Sequence, residues 1–492
     1  MYSLSIKIRS LIYASLLLAS TILAGCHSGV EGDTSTFEQE EKDVTTVETV
    51  AAEDASSVLA SFERKNYDGY SFRVLCTNYY NAYIFVQQAP DDVENGEPVN
   101  DALYRRDRML SEYYDIDLKY TIEQNDYDGS LVSTAKNNLL ADEVGFDLIL
   151  SSIGQALPQL IGEGYAYDFN QVDSIDLTKE WWNKNVVKDL TINGKLHMAT
   201  GDITTRSVVA SWLMAFNKEL FDEYQIDIPY QMVYDGKWTI DRLSEIIKDR
   251  QIDLDGDSKI TKDDFVGLAP EGGTFWIYYT AGGLTTVELK DSTPVITCMS
   301  QKSYDAIDKM ISILSGDHTL KMKEVYDANN MFKNDQALFL SCAACDLSFL
   351  REMESEYGLL PLPKLSENQE SYYTPVNTGV GTAAIIPINV SDIDKTGTII
   401  DTYAALSRYT SMIAQYETTM QQKQARDEDS IQMLKLAVES VTYDFSAVYG
   451  WSSLIGIINE SIKNGTNNYA SELEAVSKKT IYAIEDGILS IG

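Results

Sequence analysis

The chain has 492 residues, with 75 Asp and Glu against 39 Lys and Arg and a formal net charge of −36. A surface so acidic repels nucleic acid and anionic lipid head groups, which excludes nucleic-acid binding and favours a neutral or cationic ligand over a polyanion. From Tyr67 onward the chain is long enough for two or more lobes, at about 100–200 residues per domain.

The first segment is a targeting signal. Lys7 and Arg9 precede an apolar run from Leu11 to Leu23, which closes on Leu23-Ala24-Gly25-Cys26. A positive flank, a short apolar stretch and small residues before a cleavage point describe a secretory signal. The run falls short of the about 20 apolar residues that span a bilayer. Its end on Cys26 resembles a bacterial lipobox. That resemblance implies cleavage before Cys26 and lipidation of its sulfur; an ordinary signal with an incidental Cys is the alternative. Residues 1–25 are then a lipoprotein signal peptide, and Cys26 holds the protein on the extracytoplasmic side of the cell membrane through lipid alone. Residues 26–66 are rich in Glu, Asp, Thr, Ser and Val. They read as a disordered acidic tether, because such a segment buries too little apolar surface to offset its ordering entropy.

Alternating elements follow. Tyr70 to Cys76 reads as a strand, Asp101 to Tyr114 as a helix, and Ile116 to Ile122 as a second strand. Ser130 to Leu140 is helical, and Phe146 to Ser151 is a short buried strand after Gly145. This alternation predicts an α/β fold with a parallel sheet. Ligands of such sheets sit at the carboxyl ends of the strands, which singles out Asn78 and Gln155.

Later tracts carry a resemblance. Phe146–Ser152 is followed by Leu157–Tyr165, then by Asn193–Thr200. Trp212–Phe221 resembles a tract ending in Tyr-Asn-Lys-x-Leu-Phe, with Phe216 in the Tyr place. Gly236–Leu243 resembles a Trp-Thr-Trp-Asp-Glu helix start, capped by Thr239 or Asp241. Asp335–Leu340 and Tyr357–Pro363 resemble later return strands. In this order they resemble the extracellular solute-binding proteins of ABC importers, especially the carbohydrate-binding group. The resemblance implies an α/β, two-lobed, periplasmic-binding-protein-like fold with a central cleft and hinge crossovers. It places crossovers near Ala210–Phe216 and Ser341–Cys345 and a return near Ile388. Lobe 1 is then residues 67–210 and 343–388, and lobe 2 residues 211–342 and 389–492.

Within lobe 2, Asp253 to Asp264 is the sharpest chemical motif. Asp253, Asp255 and Asp257 stand at positions one, three and five of a twelve-residue loop, Ile260 at eight and Asp264 at twelve. Alternating carboxylates converge on a hard cation, so the loop is expected to hold structural calcium with the backbone carbonyl of Lys259. It resembles dockerin-type and other EF-hand-like loops. It departs from them in Ser258 at position six and the short Asp264 at twelve. A solvated acidic turn is the alternative.

Four cysteines remain beyond Cys26: Cys76, Cys298, Cys342 and Cys345. The Cys342–Cys345 pair has no second pair and no nearby His, which argues against zinc. The pair lies in an apolar run and reads as buried small hydrophobes, with a disulfide as the alternative.

Tyr is abundant, at 31 residues, with six Trp. Aromatic faces suit sugar rings, and polar neighbours suit their hydroxyls. Trp276, Tyr373 and Trp451 sit in Gly-flanked aromatic clusters that the resemblance puts near the cleft. Each is a ligand-stacking or a core residue. Asp202, Thr204 and Glu271 are polar cleft candidates.

The expected function is capture of a mono- or oligosaccharide by a monomeric, lipid-anchored protein and delivery to an ABC permease. No Gly-x-Ser-x-Gly, His-Glu-x-x-His or phosphate-loop motif is present, and the histidines are only His27, His197 and His318. The alternatives are a lipid-anchored carbohydrate-active enzyme, which would need two placed carboxylates, or a surface sensor with the same fold.

Overall fold

The computed structural model describes residues 54–80, 85–124, 129–140, 145–290, 293–321, 324, 326–420, 427–450 and 453–491. Cys26 and Trp451 lie outside the described residues. No described helix is long and apolar enough to cross a membrane.

Two sheets are built from β1 (Tyr70–Thr77), β2 (Ile116–Glu123), β3 (Leu148–Ser152), β4 (Trp212–Asn217), β5 (Gln251–Ile252), β6 (Phe265–Pro270), β7 (Ala337–Ala343), β8 (Tyr357–Leu360) and β9 (Thr382–Ile385). The first has the order β9-β3-β1-β2 and the second β8-β4-β7-β6-β5. β1 runs parallel to β2 and β3, and β9 is antiparallel to β3. In the second sheet β7 runs parallel to β6, and β4 is antiparallel to both β7 and β8.

Six of these strands are apolar because helices cover both faces there. Every residue of β3, β4, β6, β7, β8 and β9 is buried. Each Leu, Ile or Phe placed there contributes on the order of 1.5–3 kcal/mol. Helix Pro98–Tyr114 starts with Pro98 in its first turn, where no N–H is needed, and stops at Asp115 in the left-handed region. It packs under helices Ile393–Arg408 and Ser411–Met420. Helix Glu428–Glu439 packs on β8, and helix Leu454–Asn464 packs on helices Gln301–Leu314 and Tyr469–Ile491. Helix Ile240–Ile247 is capped by Thr239, whose hydroxyl accepts from the Arg242 N–H at 3.4 Å.

The division between lobes differs from the expected one in two places. The segment 343–388 was expected in lobe 1, yet β8 pairs with β4 in the second sheet, Tyr357 opposite Asn217. The chain crosses back later, where Val376 bridges Ser211 and the Asn377 N–H donates to the Ala210 carbonyl at 2.8 Å. Residues after 388 were expected in lobe 2, but helix Ile393–Arg408 covers the first lobe by packing on helix Pro98–Tyr114. Folding also starts before Tyr67. Residues 54–60 are helical, Ala55 and Leu59 are buried, Phe62 packs on Trp181, and the Tyr113 hydroxyl donates to the Phe62 carbonyl.

Candidate functional site

The carboxyl ends of β1 and β3 in one lobe and of β7 in the other lie against the crossovers, the last through the Ala344 N–H, which donates to the Ser211 carbonyl at 2.9 Å; β6 runs beside β7. On the first lobe the end of β3 is pressed against the returning chain. The Gly154 N–H donates to the Thr378 carbonyl at 3.1 Å, and the Ile153 N–H to Gly381 at 2.9 Å. A Cβ on Gly154 would stand 2.6 Å from the Thr378 side chain, so this approach needs glycine. Gln155 follows it, exposed, at the start of helix Ala156–Gly162.

Beside it, Arg206 is fully buried. Its guanidinium donates to the Val380 carbonyl at 2.6 Å, to the Thr77 hydroxyl at 3.1 Å, and to the Thr77 and Gly379 carbonyls at 3.4 Å. One side chain thus ties the end of β1 to the return crossover. Thr204, expected at the ligand, is committed elsewhere. It is 2% exposed, its hydroxyl donates to Gln88 at 2.8 Å, and it accepts from the Arg206 N–H. It supports the wall and offers no free group. The Asn78 carboxamide oxygen likewise accepts from the Gln88 and Ala89 N–H groups.

On the second lobe, Glu271 follows β6 and Asp346 follows β7, two adjacent parallel strands in which Pro270 is opposite Ser341. Burial raises the pKa of both carboxyls. Glu271 receives the Tyr326 backbone N–H, and Asp346 is pushed up to about 8 by burial and then by Glu271. Asp346 caps its own turn, accepting from the Ala343 N–H at 3.2 Å. Cys342 and Cys345 are buried free thiols, and burial pushes both well above the ordinary thiol range. Gly272 and Gly273, both at positive φ, turn the chain from Glu271 into helix Trp276–Ala281. Asn459 fixes that turn by accepting from the Phe275 and Trp276 N–H groups. Trp276 is half-buried.

A cavity of about 400 Å³ joins the two lobes here, between Val86, Gln87 and Asn100 on one side and Ala344, Cys345 and Arg351 on the other. None of the expected ligand residues lines it. Tyr373 is elsewhere in lobe 2, its ring against Gly283, where a Cβ would meet it at 2.9 Å. Asp202, a predicted cleft residue, lines a cavity of about 780 Å³ between the lobes, which is bounded by Ile153 just past β3 and by Ala210, Val376 and Gly381 of the crossovers; Arg408 donates to Asp202 at 2.7 Å and burial raises its pKa to about 6.

The loop at Asp253 brings together the carboxylates of Asp253, Asp255 and Asp257, whose oxygens lie within 4.8 Å of one another. Ser258 takes the left-handed conformation, φ 66°, at the position where an EF-hand has glycine. Asp264 does not join the cluster. Its oxygens accept from the Leu254 and Thr261 N–H groups, each at 2.8 Å, which closes the loop ends and holds its carboxyl below the ordinary range.

No family model and no curated protein matches the chain. Solved structures do. The chain is similar to a cyclo/maltodextrin-binding protein complexed with maltotetraose, at 14% identity over 87% of this chain and 98% of that one, with a TM-score of 0.53. The fold is the two-lobed periplasmic-binding-protein fold. Weaker overlaps are with a maltose/maltodextrin-binding domain from Bdellovibrio bacteriovorus bound to maltotriose (14% identity, 86% and 98% covered, TM-score 0.45) and with the GacH receptor of Streptomyces glaucescens, solved unliganded and with acarbose (10% identity, 85% and 97% covered, TM-score 0.48).

In this fold Gln155, named with Asn78 by the strand-end rule, follows β3, and Glu271, a polar cleft candidate, follows β6. The same rule, applied to the end of β7, points to Asp346. Arg206 carries a weaker signal, as a lone charge in the stretch Ile203–Ala215. Asn459 carries none.

Proposed function

We propose that the protein captures a carbohydrate between its lobes, acts without turning it over, and delivers it to an ABC permease while held to the membrane by lipid on Cys26. The observation that carries this reading is the approach of the ends of β1, β3 and β7 to the crossovers, with Gln155 following β3 in one lobe and Glu271 and Asp346 following the neighbouring strands β6 and β7 in the other. Hinge closure about 210–211 and 376–381 would bring these groups onto one ligand. Carboxyl and carboxamide groups suit sugar hydroxyls, and Trp276 supplies a partly exposed ring. The similarity to a protein solved with maltotetraose supports the choice of a sugar.

The test is titration calorimetry of the purified chain with maltose, maltotriose and maltotetraose. Saturable binding, weakened in Gln155→Ala and Glu271→Gln, with the sugar recovered unchanged, is expected. Absence of heat and of any thermal shift with all three sugars would remove the maltodextrin reading. Hydrolysis products would replace it with the enzyme reading. Lipidation is tested separately: Cys26→Ser should leave the protein in the soluble fraction of its host.

The loop Asp253–Asp264 is proposed to take calcium as a structural staple. The clustered carboxylates and the turn at Ser258 support this, with Asp264 closing the loop and not ligating.

A further inference from the structure

We propose that Asn185 and Asp189 of the first lobe latch onto residues 441–443 of the second, beside the hinge, and that this latch holds the lobes in their closed, ligand-holding arrangement. Its effect on affinity presumes the interlobe ligand of the proposed function; its effect on lobe spacing does not.

Each half of the latch is fixed within its own lobe. Asn185 and Asp189 stand on helix Lys184–Leu190, which Asn183 caps by accepting from the Asn185 and Val186 N–H groups. The Asn183 N–H donates to the Thr200 carbonyl at 2.8 Å, and the Trp182 indole donates to Asp401 at 2.7 Å, so the helix start belongs to the first lobe. The strand Val441–Thr442 runs parallel to Thr374–Pro375, the chain that enters the return crossover. Just beyond it, the Asp444 carboxylate accepts from the Thr286 N–H at 2.6 Å, which ties the segment to the second lobe.

The two halves match in spacing. Side chains four residues apart on a helix repeat at about 6 Å along one face. Backbone groups two residues apart on one edge of an extended strand repeat at about 6.6 Å. The Ser440 carbonyl faces Thr374, accepting from its N–H at 2.9 Å, so the Val441 carbonyl and the Tyr443 N–H face the opposite edge. There the Asn185 amide donates to the Val441 carbonyl at 2.7 Å, and the Asp189 carboxylate accepts from the Tyr443 N–H at 3.1 Å. Side chains of one lobe thus stand where a neighbouring strand would pair with the other. Asn185, Val441 and Tyr443 also line the cavity between the lobes. The latch therefore lies at the rim of that cavity, and swinging the lobes apart there breaks both bonds.

The experiment measures lobe spacing by double electron–electron resonance on the full chain carrying Cys26→Ser, with spin labels on Glu112→Cys in the first lobe and Lys302→Cys in the second. Both label sites are exposed, and the remaining cysteines, Cys76, Cys298, Cys342 and Cys345, are buried. Asn185→Ala, Asp189→Ala and their combination break the latch, whereas Asp189→Asn keeps an acceptor for the Tyr443 N–H. Thermal melts confirm that each variant is folded; should the combination fail to fold, the single variants decide. Without sugar, the combination should give a longer and broader distance distribution than the unlatched-free parent, and Asp189→Asn should match the parent. Calorimetry with maltotetraose should show affinity falling about tenfold for each hydrogen bond lost, and retained in Asp189→Asn. Unchanged or shorter spacing in the combination overturns the latch, even if affinity falls, because the residues then act on the ligand and not on the lobes. Longer spacing with equal or tighter sugar binding overturns its role in favouring the ligand-holding arrangement. If the parent binds no sugar, the sugar reading is removed and the spacing alone decides the latch.

Discussion

Asn459 holds the backbone of Trp276 from the helix Leu454–Asn464 packed beside it. Its carboxamide oxygen accepts from the Phe275 N–H at 2.7 Å and the Trp276 N–H at 3.1 Å, and its nitrogen donates to the Gly273 carbonyl at 3.4 Å. These N–H groups open helix Trp276–Ala281 and have no partner within it. Asn459→Ala strands them beside the buried Phe275. A loss of about 1–3 kcal/mol is expected, the cost of unmatched buried donors. Urea unfolding reads this as a lower midpoint at constant slope. Asn459→Asp keeps an acceptor and should lose less. Equal midpoints for wild type and Asn459→Ala would show that the turn stands without the clamp.

Asp346 makes stability depend on pH. Its folded pKa, about 8, lies above the ordinary carboxyl value because burial and then Glu271 disfavour its charge. The folded state therefore holds a proton that the unfolded state releases from about pH 4 upward. Stability from this group is complete below about pH 4 and is lost as pH rises toward 8. Asp346→Asn should flatten the decline of melting temperature between pH 5 and 8. It should also raise the melting temperature at pH 8, because the amide carries no charge to bury. A pH profile that the substitution leaves unchanged would place Asp346 in a better-solvated setting.

The strand-rich part of this fold was legible because its signal is local. The run Phe146–Ser151 announces a buried strand by composition alone, and β3 spans Leu148–Ser152. Partner choice was not legible. Tyr357–Leu360 reads as a strand, but nothing near it says that it pairs with Met214–Asn217, far earlier in the chain. Hydrophobic periodicity reports burial and not the neighbour. The same limit hid Asn459, a polar residue on a helix whose partner lies in another element. Residues 54–62 illustrate a different loss. Ala55, Leu59 and Phe62 fall at helical spacing, yet the acidic composition around them reads as tether. Asp346 was obscured by the apolar run from Ala337 to Leu350, which draws attention to the cysteines.

The calcium loop makes two linked predictions. Ser258 sits at φ 66°, a conformation that costs a side-chain-bearing residue about 1–2 kcal/mol. Ser258→Gly should raise the melting temperature without added metal. Millimolar calcium should raise it in the wild type, because binding to the folded state alone stabilises that state, and Asp255→Ala should abolish the response. Asp264→Ala should lower stability with or without calcium, since its oxygens hold the Leu254 and Thr261 N–H groups. Equal melting curves in calcium and in chelator would mark the loop as a solvated acidic turn.

Arg206 provides the sharpest separation of architecture from ligand contact. It donates to the Thr77 hydroxyl and to the carbonyls of Thr77, Gly379 and Val380, so it joins the end of β1 to the chain returning from the second lobe. A planar guanidinium can span these acceptors, whereas a lysine ammonium is a single point on a flexible stem. Arg206→Lys keeps the charge and loses the span. At about 1.5–3 kcal/mol for a hydrogen bond to a charged group, a loss of at least that size is expected in urea unfolding. Arg206→Met should lose more, because it removes every donor that Arg206 supplies to these carbonyls. Sugar affinity should fall in Arg206→Lys even under conditions where the protein is fully folded, since Asn78 and Gln155 stand on the elements that Arg206 aligns. Calorimetry well below the unfolding midpoint separates the two effects. If affinity is retained while stability drops, Arg206 supports the lobe without positioning the strand ends. If both are retained, the alignment of β1 with the return crossover comes from the Gly154–Thr378 contact instead.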